Sequence, residues 1–303
     1  MPTLFSPMSF SGLTLRNRIA MPPMWSGKAT ADGFVTPAIV EYHRVRAAAG
    51  TGLIIVEHSF VHPQGRHSST QIGVHDDGCL DGLSTLASAI RAEGAVSCLQ
   101  ISHAGARASS RVTRLPVVAP SPVATIRESN PDAPEELTRA QIGEVVDAFA
   151  AAAVRARLAG FDAVEIHAAH GFLLSQFLSP LTNRRTDEYG GDHDRRSRIH
   201  MDVLSAVRRR AGEDFPVFVR LGLHDERPGG LTLAPACVTA VRLAAAGAAL
   251  LDVSGGLAGS DDPGRGPGYF VGYAEALKAA VDVPVLVAGG ISDPRMADLI
   301  IRS

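Results

Sequence analysis

The stretch FDAVEIHAAHGF, Phe161–Phe172, decides the architecture. It opens as a short apolar run, Ala163–Ile166, of the kind seen in strands covered on both faces. It then places His167 and His170 three residues apart, ahead of a Gly and a Phe. A buried strand that discharges two imidazoles at its end is the pattern of a parallel α/β sheet with chemistry at its carboxyl edge.

The same grammar recurs outward from this point. Strands are predicted at Arg18–Met21, Leu53–Val56, Val96–Gln100, Val217–Arg220, Leu250–Val253 and Val285–Ala288, besides Ala163–Ile166. Helical patterns lie between them, at Pro37–Ala49, Asp81–Glu93, Thr138–Ala159, Arg195–Ala211, Thr232–Ala246 and Tyr269–Val281, with a last one at Asp293–Ile301. Thr138 and Thr232 stand where N-caps belong. Regular alternation without an internal repeat or linker reads as a (β/α)8 TIM-type barrel forming one domain, 1–303. A doubly wound sheet is the runner-up, but no GxGxxG joins a strand to a helix. LFSPMSFSGLTLRNR reads as an N-terminal hairpin able to close the barrel floor. Ser102–Leu137, with five prolines, reads as a long loop or small subdomain at the active face.

Composition narrows the class. Apolar residues are 46% and charged residues 20% of the 303, and the formal net charge is −2, so a large core is expected and neither nucleic acid nor an acidic tail is indicated. The N-terminus lacks the basic and apolar regions of a secretory signal, and no run is long enough to span a bilayer. Cys79, Cys98 and Cys237 are far apart, which indicates neither a disulfide framework nor a metal cluster. The expectation is a cytoplasmic protein acting on small molecules.

The strand ends carry the functional signal. In order they offer Pro22-Pro23-Met24-Trp25, Glu57-His58, Gln100 with His103, His167 with His170, Arg220, Ser254-Gly255-Gly256 and Gly289-Gly290. Singly, each has a structural explanation: a packed histidine, a rim ion pair, a turn. Together they suit a large polar ligand across the barrel mouth. Gln100 offers an amide donor and acceptor to a pyrimidine edge. Arg220 offers a fixed cation where a reduced ring gathers charge. Gly289-Gly290 exposes backbone N–H groups to a phosphate. A metal reading of HAAH lacks a third ligand nearby, Glu165 being read as pointing to the other strand face. A metal-dependent hydrolase would want an HxH pair after the first strand, where RIAMPPMW has none.

From LFSPMSFSGLTLRNRIAMPPM to VPVLVAGGISD the chain resembles the Old Yellow Enzyme family of FMN-dependent NAD(P)H:flavin oxidoreductases, the ene-reductase-like flavoproteins. The most specific pieces are GLIIVEHSFVHPQGR, LQISHAGAR, GFDAVEIHAAHGFLLSQFLSPLTNRRTDEYGG, VRLG and LLDVSGG. The resemblance implies FMN as cofactor and NADH or NADPH as reductant. It implies FMN contacts from Pro23, Met24, Trp25, His58, Gln100, Arg220, Gly289 and Gly290. His167 and His170 match the paired donors that hold a substrate oxygen over the flavin, activating an enone, quinone or nitro compound for hydride from N5. With an ordinary imidazole pKa of ~6.5, both protonation forms of these histidines are expected to be accessible. It further implies ping-pong kinetics and a homo-oligomer.

Three departures stand out. Phe172 occupies the place of the family's usual proton-donating Tyr, so the substrate pocket of Trp25, His167, His170 and Phe172 loses a general acid; Tyr189 is a poor replacement. Trp25 sits where relatives carry a small residue. The last predicted strand, VPVLVAGG, is the seventh, and the family's eighth β/α unit with its Gly-Arg phosphate loop is not found after it, so weak FMN retention is expected. These departures leave open a catalytically impaired flavin-binding protein, or the N-terminal part of a larger dienoyl-CoA-reductase-like flavoprotein.

Overall fold

Ser11 and Gly12 turn the chain first. Both have positive φ, 45° and 78°, and they join Met8–Phe10 to Leu13–Leu15 as the predicted antiparallel hairpin. The computed structural model describes residues 2–123, 133–259 and 265–302. Seven parallel strands follow: β1 (Ala20–Met21), β2 (Leu53–Phe60), β3 (Val96–Ser102), β4 (Ala163–Ala168), β5 (Val217–Gly222), β6 (Leu250–Ser254) and β7 (Val285–Val287). Their order in the sheet is β7-β6-β5-β4-β3-β2-β1. Every strand lies beside its neighbour in sequence, with no reversal of order. This separates a barrel from the doubly wound alternative, whose order must switch. The sheet is a nearly closed (β/α) barrel, in which β1 and β7 are paired on one side only among the described residues.

The helices that return the chain are α1 (Pro37–Ala48), α2 (Leu80–Ala92), α3 (Arg139–Leu158), α4 (His193–Ala211), α5 (Leu233–Ala245), α6 (Val271–Lys278) and α7 (Pro294–Arg302). Thr138 caps α3 in a reciprocal box with Gln141, an arrangement that contributes on the order of 1 kcal/mol. Thr232 precedes α5 but makes no side-chain cap bond. The sixth helix is shorter than its pattern suggests, because Tyr269 and Phe270 pack as a turn ahead of it.

Two apolar layers follow from strand alternation. One residue set, including Ile54, Val56, Leu99, Val164, Val219 and Val253, faces the helices and meets Ile39, Leu83, Phe149 and Val203. Truncating the fully buried Phe149 to Ala would cost roughly 3–5 kcal/mol. The alternate set, Leu53, Ile55, Cys98, Ala163, Phe218 and Leu250, fills the barrel floor with Leu15 and Phe10 of the hairpin. The Phe10 and Phe218 rings stand 5.9 Å apart, so the hairpin closes the floor as expected.

Most strands run past their predicted ends. β2 continues through Glu57 to Phe60, β3 to Ser102, β4 through His167 to Ala168 and β6 to Ser254. Polar side chains end the apolar run before the backbone ladder ends. β1 is shorter, Ala20–Met21, since Asn17 and Ile19 engage in turn bonds to Gly50, Gly52 and Leu53 instead. The segment after β3 carries a 3-10 turn, Gly105–Arg107, one helical turn, Ser110–Thr113, and a short pairing of Val118–Ala119 with Glu135–Glu136; residues 124–132 of it lie outside the described residues. Strand β7 is only half-buried, and α7 buries none of its residues fully. Among the described residues no helix is long and apolar enough to cross a membrane.

Candidate active site

The carboxyl ends of β2 to β6 deliver most of the expected polar residues to the inside of the barrel. Gln100 and Glu165 are register partners on β3 and β4; so are His167 and Arg220 on β4 and β5, and Arg220 and Asp252 on β5 and β6. Paired residues of parallel strands share a face, so these five side chains form one inward group above the apolar floor. Glu165 therefore shares its face with His167, two residues on, which corrects the expectation that it points away. Gln100 Nε2 donates to Glu165 Oε1 at 2.7 Å. Arg220 reaches toward Asp252 Oδ2 at 3.4 Å and donates from Nη2 to Ser254 Oγ at 3.3 Å.

His58 arrives by a different device. Val56 pairs with Leu99 and Ser59 with Ile101, so Glu57 and His58 together stand against Gln100 in a bulge. A bulge re-aims side chains at a barrel rim. Glu57 Oε2 accepts from the Ser26 N–H at 2.8 Å, tethering the segment after β1 that carries Pro23, Met24 and Trp25. Met24 and Trp25 are about half exposed there. Gly289 and Gly290 follow β7 at the same end of the sheet, two strands from Arg220. A Cβ on Gly289 would stand 2.7 Å from the Tyr269 ring, so the loop requires glycine there.

At the end of β4 the chain makes a strained turn. His170 has φ of 59°, a costly conformation for a residue other than glycine. Three contacts hold it: its N–H donates to Gly255 O at 3.0 Å, its carbonyl accepts from Arg107 Nη1 at 2.6 Å, and its Nε2 lies 2.6 Å from Ser254 Oγ. The His167 and His170 rings meet edge to face at 5.0 Å. Phe172 packs against His167, His58 and His67 at centroid distances of 4.7, 5.3 and 5.7 Å, and the Arg107 guanidinium lies over its ring. Trp25 meets His67 edge-on at 6.4 Å. His67, Arg107 and Asp252 thus belong to the site although the sequence reading passed over them. Asp252 had a signal, a carboxylate inside the apolar run LLDVS. His67 and Arg107 come from aperiodic loops and had none.

Burial sets the charge states. His167 is driven well below the ordinary imidazole pKa, first by burial and then by His170, His58, Arg220 and Arg107 around it. It is a neutral donor at physiological pH, not the readily protonated group expected. His58 is pushed down to about 3, again mainly by burial. Glu165 and Asp252 are both pushed up by burial. Glu165 is raised further by repulsion from Asp252, while Arg220 draws both back. Tyr189 donates its hydroxyl to Asp202 of α4 at 3.0 Å, which leaves it a scaffold residue.

Comparison with known proteins places the chain. The model of the NADH:flavin oxidoreductase / NADH oxidase family matches residues 3–303. The chain belongs to that family. It is 41% identical to a metal reductase of Desulforamulus reducens, matching 100% of this chain and 45% of that protein. It is 39% identical to an NADPH dehydrogenase of Bacillus licheniformis, over 99% of this chain and 87% of that protein. Among solved structures, a 2-naphthoyl-CoA reductase complex superposes with a TM-score of 0.94 at 27% identity, covering 99% of this chain and 48% of that one. An old yellow enzyme homologue from Zymomonas mobilis superposes at 0.83 and 27%, covering 99% and 86%. The chain thus spans about half the length of the metal reductase and most of the NADPH dehydrogenase.

An FMN of the flavin oxidoreductases fits the residues present. Arg220 Nε, His58 Nε2 and His167 Nδ1 are buried with no hydrogen-bond partner among the described residues, which is costly in a site that stays dry. An amide, a guanidinium, two or three imidazoles and a diglycine loop on one rim match a ligand with a polar ring and a phosphate. Arg220, Gln100 and His58 would hold the ring, and Gly289-Gly290 the phosphate.

Proposed function

We propose that the chain is an FMN-dependent oxidoreductase that uses NADH or NADPH to reduce an electron-poor unsaturated acceptor, an enone, quinone or nitro compound, in the cytoplasm. The observation that carries this reading is the convergence of Gln100, His167, Arg220 and His58 on one inward rim, with buried polar atoms left unpaired among the described residues. When bound, FMN supplies the two-electron chemistry, accepting a hydride equivalent from the nicotinamide and passing it to the acceptor.

The protein's own residues supply placement and charge. Arg220, with Asp252 and Ser254 fixing its guanidinium, presents positive charge to the ring. Gln100, anchored through Glu165, presents its remaining amide groups. His167, neutral and enclosed, and His170 donate to the acceptor's oxygen, drawing electron density from its unsaturated bond. Phe172 lines one wall of the pocket and offers no proton. Proton delivery to carbon then falls to solvent, which favours quinones and nitro compounds over enones. Trp25, half exposed at the rim, limits the width of the entrance.

The test is optical. With FMN supplied and oxygen excluded, NADH or NADPH should bleach the yellow absorbance, and a quinone should restore it. A flavin-binding protein without activity would stay yellow.

A further inference from the structure

Ser254 ends β6 fully buried, and its hydroxyl has two neighbours: Arg220 Nη2 at 3.3 Å and His170 Nε2 at 2.6 Å. A guanidinium can only donate, so Arg220 uses a lone pair of Ser254 Oγ. The hydroxyl proton then needs an acceptor, and among the described residues His170 Nε2 is the one within reach. Were Nε2 protonated instead, it would also donate to Oγ, and the serine proton would be left buried without a partner, at a cost of about 1–3 kcal/mol. We infer that Ser254 is a positioning residue that fixes neutral His170 as its Nδ1–H tautomer, by donating to Nε2 while accepting from Arg220.

The surroundings favour a fixed ring. The left-handed backbone of His170 is pinned by the Gly255 carbonyl and by Arg107, so the imidazole has little freedom to escape Ser254. Nδ1 is then the protonated nitrogen of the His170 ring. The consequence for substrate rests on the proposed function: the acceptor's oxygen would take its second hydrogen bond from Nδ1–H. Arg220, Ser254 and His170 form a continuous chain of contacts. Changes at Ser254 should therefore move acceptor binding without removing any group that touches the acceptor.

The assignment is tested without turnover. In protein carrying 15N-labelled histidine, with the His170 signals identified by their loss in His170→Gln, Nε2 should give the deprotonated, pyridine-type resonance and Nδ1 the protonated one. Ser254→Ala should collapse this pattern toward an averaged tautomer, and Ser254→Thr should restore it. Acceptor KM should rise several-fold in Ser254→Ala with less change in kcat, and recover in the Thr variant. A protonated Nε2 in the unaltered protein overturns the inference even if no Ser254 variant folds. So does an unchanged pattern in a folded Ser254→Ala. A correct tautomer with no bleaching by NAD(P)H would sink the proposed function and leave the tautomer assignment standing.

Discussion

Gln100 Nε2 donates to Glu165 Oε1 at 2.7 Å between register partners of β3 and β4, and both side chains are buried. The bond turns the amide so that its oxygen and second N–H remain for the ligand. Replacing Glu165 by Leu should release Gln100 and cost about 1–3 kcal/mol of stability through the orphaned amide. FMN affinity should fall roughly ten-fold, on the order of one lost hydrogen bond. Glu165→Gln, which can still accept, should stay near the unaltered protein. Denaturant melts and flavin titrations check both; equal behaviour of the Leu and Gln variants would count against the anchoring role.

Acid should destabilise the FMN-free protein well above the carboxylate range. His43 and His200 are pushed down to about 4, and His58 and His103 to about 3, mainly by burial. Unfolded, each takes a proton near 6.5, so between that pH and its depressed value the unfolded chain binds more protons and folding weakens as pH falls. Each histidine removes on the order of 1–2 kcal/mol by pH 5. Glu165 and Asp252 act in the opposite sense, since their raised pKa values let the native state keep protons, and they offset part of the loss. The melting temperature should drop by on the order of 10 °C from pH 7 to pH 5. A flat or rising profile would contradict these charge states.

Restoring a hydroxyl at the acceptor pocket should change selectivity. Phe172 lies 4.7 Å from His167 and is nearly fully buried. Phe172→Tyr should raise the enone rate by up to about 10²-fold, general-acid help being worth that or more, and leave quinone rates within a few-fold. Steady-state assays with both acceptors decide it; parallel changes in the two would show that protonation at carbon does not limit the unaltered protein.

Trp25 presents a different case. Half exposed and touching His67 by its edge, it contributes little packing, so Trp25→Ala should shift stability by less than about 1 kcal/mol. Bulky acceptors should gain relative to small ones. An unchanged acceptor profile would reduce the indole to a surface residue.

The barrel was legible because parallel strands covered on both faces leave unbroken apolar runs, and each of LIIV, AVEI and LLDV appears where a strand stands. The hairpin was legible through Ser11-Gly12. Strand ends were not, since Glu57, His167 and Ser254 look like loop residues in sequence yet continue the ladder. The bulge that aims His58 leaves no trace in composition. Gln100, His167 and Arg220 are legible because each stands at the end of an apolar run, and His170 because it repeats the imidazole three residues on. Arg107 and His67 depend on loop paths that no periodicity encodes. The neutrality of His167 depends on its burial and on the guanidiniums of Arg220 and Arg107 from two other elements, which only the assembled fold supplies.

The central claim is that Gln100 and Arg220 hold FMN at this rim, and equilibrium dialysis of FMN against residues 1–303 and two variants tests it most directly. Because β7 is half-buried and α7 buries no residue fully, the loop at Gly289-Gly290 is weakly held, and the unaltered chain should bind FMN reversibly, losing it on extended dialysis. Arg220→Ala and Gln100→Ala should each weaken that binding at least ten-fold while the fold, followed by circular dichroism, persists. Affinity unchanged in both folded variants would place the flavin elsewhere and contradict the account.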